Sequence, residues 1–161
     1  MLYRRFAPAV ALIVACSTAS AGSLVKAYAD KSRNVHVVTA SGKDIRLTTD
    51  RRADEVRLAP DGESAAWVVL SYFPADGRKW PTELHVYRNG RTRSIECGGI
   101  IREYWFWKGG THVATDCGGL HFAGIETLYE VRTMKEVDSF DQAQVPVEKR
   151  PDWSTAERQA E

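Results

Sequence analysis

Glu55-Val56-Arg57-Leu58-Ala59 runs into Pro60-Asp61-Gly62-Glu63 and continues as Ser64-Ala65-Ala66-Trp67-Val68-Val69-Leu70. Two short runs rich in apolar residues, joined by a tight polar turn, are the signature of a β-hairpin. Asp61-Gly62 serves the backbone at the reversal: Asp bonds its own main chain two residues on, and Gly supplies the left-handed conformation. A calcium loop would need alternating carboxylates around Gly62, and the sequence lacks them.

The unit recurs. Residues 101–107 meet Lys108-Gly109-Gly110 and continue through Thr111-His112-Val113-Ala114-Thr115, so Gly109 stands over Gly62 at an offset of 47 residues. A second kind of hairpin appears three times. Val35-His36-Val37-Val38-Thr39 leads through Ser41-Gly42-Lys43 to Ile45-Arg46-Leu47-Thr48. Leu84-His85-Val86-Tyr87-Arg88 leads through Asn89-Gly90, and Leu128-Tyr129-Glu130-Val131-Arg132 leads through Thr133-Met134-Lys135. Asn-Gly is a strong hairpin signal, because both central residues of a type I′ turn need positive φ. Helical periodicity is almost absent. Repeats of about 40–50 residues carrying four strands each point to propeller blades.

Residues 35–70, with Gly42, Leu47-Thr48 and the run from Ala59 to Trp67, resemble a WD-repeat-like β-propeller repeat with an Asp-Gly turn. This is the type found in the periplasmic propeller domain of the Tol translocation system. The likeness covers roughly residues 35–140 and departs from the pattern at Trp107-Lys108-Gly109, where Pro-Asp-Gly is usual. It implies blade structure and says little of activity, since propellers host many functions.

The fold expected is all-β: an antiparallel meander of about ten strands in two to two and a half propeller-like blades, roughly 24–49, 54–97 and 100–140. A closed ring needs about four blades or more. Chains could associate to complete a ring, the strands could form an open sheet or sandwich, or the N-terminal segment could cap an edge. A compact single domain that is not a closed monomeric propeller ranks above a homo-oligomeric ring.

Residues 1–21 read as a secretory signal peptide: Arg4-Arg5, an uncharged stretch over 6–15, then small residues ending Ala19-Ser20-Ala21. The apolar stretch is shorter than the roughly 20 residues that span a bilayer. Two processing routes compete. Cleavage after Ala21 leaves a soluble periplasmic or secreted domain starting at Gly22, whereas Ile13-Val14-Ala15-Cys16 resembles a bacterial lipobox and would make Cys16 a lipid anchor, with Ile13 where Leu is usual. In that second case the protein would be a membrane-anchored lipoprotein, and the lipid its only membrane contact. The domain proper is expected over 22–140, followed by a polar, mobile tail over 141–161 in which Trp153 is the one residue able to pin it down.

Export bears on the cysteines. Cys97 and Cys117, each followed by Gly-Gly, read first as a disulfide in an oxidising compartment. Closing such a loop is worth about 3 kcal/mol on the chain-entropy model. Of the 22 Lys and Arg, Arg4 and Arg5 leave with the signal, so the remainder against 21 acidic residues carries a net charge of −1. Balanced, scattered charge gives no electrostatic case for nucleic acid or an anionic membrane surface.

Three groups of side chains compete for a functional role. Tyr104-Trp105-Phe106-Trp107 reads as a strand covered on both faces, with Tyr104 and Phe106 on one side and the tryptophans on the other. Tyr72, Phe73 and Trp80 fall within residues 71–81, which carry Pro and Gly and read as a loop between strands. Aromatic side chains on a loop suit ligand binding better than core packing. His112, Asp116 and His121 offer acid–base groups without metal-ligand spacing, so neither a metal nor a cofactor is expected. The function expected is that of a non-catalytic exported β module binding an envelope protein or glycan through Tyr72, Phe73 and Trp80. The alternative is a small periplasmic hydrolase built on His112, Asp116 and His121.

Overall fold

The computed structural model describes residues 23–154. The signal peptide with its lipobox, Gly22 and residues 155–161 lie outside the described residues. Eleven strands form three antiparallel sheets in chain order, none closed into a barrel. The first contains β1 (Leu24–Ala29), β2 (Val35–Thr39) and β3 (Asp44–Arg46). The second contains β4 (Ala53–Leu58), β5 (Ser64–Phe73), β6 (Arg78–Arg88) and β7 (Arg91–Glu96). The third contains β8 (Ile100–Trp107), β9 (His112–Gly118), β10 (Ile125–Glu130) and β11 (Lys135–Asp141). Each sheet pairs strands in simple sequential order, so the described residues form an open, propeller-like series of two four-stranded blades preceded by a three-stranded one.

Local chemistry makes the reversals. Asn89 and Gly90 both have positive φ, 51° and 77°, as a type I′ turn requires. Gly62 has φ of 67°, and a Cβ there would lie 2.8 Å from the carbonyl oxygen of Leu24. That close approach lets the Leu24 N–H donate to the Gly62 carbonyl at 2.6 Å, joining the first sheet to the turn of the second.

The sheets stack face to face through β5. Ala65, Trp67 and Val69 pack toward the first sheet against Leu24, Val35 and Val37. Ala66 and Val68 turn the other way and join Leu84 and Val86 against Ile101, Tyr104 and Val113 of the third sheet. The Tyr104 hydroxyl crosses between sheets to the carbonyls of Ala66, at 2.9 Å, and Glu55. Burial pushes that hydroxyl well above its ordinary pKa, so it remains a donor. Arg57 in turn donates to the Tyr104 carbonyl and lies over its ring at 4.6 Å.

The two ends of the stack are finished differently. The outer face of the first sheet is polar: Tyr28 donates to Asp44 at 2.6 Å and stacks on His36, which meets the same carboxylate at 2.8 Å. The outer face of the third sheet is apolar, carrying Trp105, Ala114 and Leu128, and Trp153 covers it. Trp105 and Trp153 interlock, the first donating its indole N–H to the Trp153 carbonyl at 2.8 Å and the second donating to Asp138 at 2.9 Å. As alternation required, Tyr104 and Phe106 sit on the inner face and Trp105 and Trp107 on the outer.

Removing the Trp153 indole would open a cavity over Trp105 and Leu128. Trp153→Ala is expected to cost about 3 kcal/mol, read as a lower urea midpoint with an unchanged slope. An unchanged midpoint would show that Trp153 is not the cover of this face.

Candidate binding groove

Residues 71–81 are not the loop that their Pro and Gly content suggested. Strands β5 and β6 run on beyond the sheet as a two-stranded arm, paired from Leu70↔Pro81 to Phe73↔Arg78, and only residues 74–77 form the turn. Pro81 is tolerated because the register shifts beside it: the pairing passes from Val69↔Glu83 to Leu70↔Pro81, leaving Thr82 as the extra residue. Gly77 closes the turn with φ of 67°, its N–H bonded to the Phe73 carbonyl at 3.0 Å.

That bulge sorts the three aromatic candidates. With Thr82 bulged, Trp80 stands opposite Ser71 and so shares a face with Phe73, while Tyr72 pairs with Lys79 on the other face. Tyr72 is 62% exposed and does not line the groove. Phe73 and Trp80 form one wall of a cleft of about 420 Å³, which also reaches Cys97, Gly99, Gly118 and Leu120. Trp80 is anchored by its indole N–H, which donates to the Asp76 carboxylate at 2.8 Å.

Cys97, which lines the cleft, is bridged to Cys117 with Cα atoms 5.8 Å apart, within the range such bridges occupy. The bridge brings the two Cys-Gly-Gly segments side by side. A Cβ on Gly99 would lie 2.9 Å from the Gly118 carbonyl oxygen, so the close approach depends on glycine. Beyond it, Leu120, Phe122 and Ile125 are exposed large apolar side chains around the same end of the third sheet. Sequence reasoning missed Leu120 and the glycine pairs as lining of this cleft. The available signal was the repeated Cys-Gly-Gly, whose meaning depended on the bridge.

Asp116 supports this wall. Arg102 grips it at 2.5 Å from Nη2 and 3.2 Å from Nε, and donates from Nη1 to the Phe122 carbonyl at 2.8 Å. The same guanidinium reaches Gln142 at 2.6 Å, and Gln142 donates to the fully buried Glu126 at 2.7 Å. This network holds the β9–β10 connection that carries Leu120 and Phe122. His112 lies at the opposite end of β9, four residues from Asp116, which separates them by about 13 Å along a strand. His121 is exposed in the connection itself. The structure thus engages Asp116 with Arg102 and leaves His112 and Asp116 without a shared reaction centre. Among the described residues, no cluster of three His, Cys, Asp or Glu is placed to hold a metal ion. No helix among them is long and apolar enough to cross a membrane.

No family model matches the chain, and neither does any curated protein. Among solved structures it is similar to the β-propeller domain of the Trilobed protease from Pyrococcus furiosus, described as having an open velcro topology, at 12% identity and a TM-score of 0.48. The match covers 72% of this chain and 37% of that one, so this chain spans little more than a third of that protein's length.

Two outcomes test the geometry. Asp116→Ala is expected to cost about 3 kcal/mol by leaving the Arg102 charge unpaired, and to speed amide exchange across residues 119–124. A cost below about 0.5 kcal/mol, the value for an ordinary surface acid, would remove Asp116 from this role. At the arm, the Trp80 indole and the Arg78 N–H hold the Asp76 carboxyl below its ordinary value of 3.8. A depressed carboxylate lends stability above its unfolded pKa, lost as pH falls through the lower folded value. The Trp80 indole proton resonance should therefore titrate with a midpoint below 3.8. A transition centred above that value would show that the bond does not form.

Proposed function

We propose that this protein is an exported, non-catalytic β module that captures a protein partner of the cell envelope by seating an apolar side chain in the groove between Phe73, Trp80 and Leu120. The observation that carries this reading is the arm itself. A lone two-stranded ribbon is only marginally stable in water, yet this one holds Phe73 and Trp80 out beside Cys97 and the glycines that follow the two bridged cysteines. Aromatic anchors around a pre-formed, largely apolar cleft are what peptide capture uses. The chemistry favours an aliphatic or aromatic peptide side chain over a glycan, because Leu120 and Phe122 add apolar surface and the Asp76 carboxylate that lines the cleft is already engaged by the Trp80 indole.

Export rests on residues 1–21 and agrees with the disulfide. The processed form is a soluble periplasmic or secreted domain or, if Cys16 is lipidated, a membrane-anchored one. The repeat is of the WD-like kind seen in the Tol-system propeller. The polar outer face of the first sheet and the Trp153 cover on the third favour a unit working without ring closure by further copies.

Selection of random twelve-residue peptides on the processed protein should converge on a motif with one or two large apolar residues. The selected peptide should bind at least about tenfold more weakly to Phe73→Ala and to Leu120→Ser, a loss of about 1.4 kcal/mol, and equally well to Tyr72→Ala. Selection that converges on no motif, or affinity unmoved by both groove variants, would sink the proposal.

A further inference from the structure

At the end of the sheets opposite the groove, four arginines meet over a cleft of about 330 Å³. Arg88, Arg91 and Arg93 come from the β6–β7 hairpin around Asn89-Gly90, and Arg132 from the β10–β11 turn of the neighbouring sheet. Among the described residues no carboxylate lines the cleft. Its floor is apolar: Val86 and Val131 are each only 2% exposed. Guanidinium groups of one sign over a low-dielectric floor concentrate a positive field in the cleft.

The four side chains are not equally committed. Arg88 is held from behind by Glu63, by Asp61 at 3.7 Å and by Ser64 at 3.1 Å, and Arg132 has Glu130 at 3.6 Å. Arg93 donates to the Arg132 carbonyl, a neutral acceptor that joins the two sheets while leaving its charge uncompensated by that bond. Arg91 is exposed at the tip of the hairpin.

We infer that this cleft is an anion site for a phosphate-ester group, with Arg91 and Arg93 as its principal donors and Arg88 and Arg132 as pre-positioned flanks. Planar guanidinium forks match the oxygen spacing of phosphate and bind it through paired N–H bonds. A compact group carrying two or more charges suits the volume, and the site is separate from the apolar groove at the other end of β6. The phosphate can come from a soluble ester or from a lipid headgroup, and the chemistry at the guanidiniums is the same for both.

Calorimetric titration of the processed protein with sodium pyrophosphate tests the site. The wild type should saturate with Kd below about 1 mM, and the affinity should fall as salt is added. The double variant Arg91→Gln/Arg93→Gln should bind at least about tenfold more weakly while still unfolding in one cooperative thermal transition, and Arg91→Gln alone should already weaken binding, while Arg46→Gln on the first sheet binds as the wild type does. Co-sedimentation with phosphatidylcholine vesicles containing phosphatidic acid separates the sources. Retention competed by pyrophosphate identifies a lipid headgroup, and saturable pyrophosphate binding without retention identifies a soluble ester. Absence of saturable heat in the wild type, or equal affinity in the double variant, overturns the site.

Discussion

From Ser64 to Leu70, β5 has no side that faces water, and the molecule is organised around giving this segment two covers. Side chains in a strand alternate, so Trp67 and Val69 need one apolar surface and Ala66 and Val68 need another. One sheet cannot supply both. The first and third sheets do, and the Tyr104 hydroxyl and the Arg57 guanidinium tie the second interface by hydrogen bonds to backbone carbonyls. Such stacking repeats until a sheet ends in a face that water tolerates. Among the described residues three sheets stack, with polar contacts on the outer face of the first and Trp153 packed on the outer face of the third.

An open stack leaves the connections at both ends free to differ. At one end the second sheet extends as the β5–β6 arm, and the disulfide ties the β7–β8 connection to the end of β9 beneath it. Arg102 and its carboxylate and amide partners fix the opposite wall. The groove thus combines a projecting ribbon with a wall whose Cys97 is cross-linked to β9. At the other end, hairpin tips from adjacent sheets bring together charges that are dispersed along the chain. The two surfaces offer opposite chemistries, one apolar and one cationic, some length of β6 apart.

Asp116 shows how a chemically suggestive residue can have a mechanical role. Its neighbour in the alternative acid–base reading, His112, shares its strand and its face, but strand geometry sets them too far apart to act on one bond. The carboxylate instead meets Arg102, and the glycine-bearing connection folds over that pair: a Cβ on Gly124 would sit 2.7 Å from the Asp116 carboxylate.

Pairing within a sheet is mostly local, so the sequence alone determined most hairpins and their turn residues and pointed first to the pairing of Cys97 with Cys117, but it read the β5–β6 arm as a loop. Alternation also settled which way each aromatic residue of the run 104–107 would point. Contacts between sheets are not local, and only the tertiary structure decided them. The extra residue at Thr82 reverses the parity of the arm, so Trp80 joins Phe73 rather than Tyr72. The same kind of contact brings Leu120 beneath the arm, sets Arg132 beside Arg93 and folds Trp153 onto Trp105. Each depends on how far one sheet turns and slides over the next, and that is fixed by packed volumes and single bulges that periodicity does not encode.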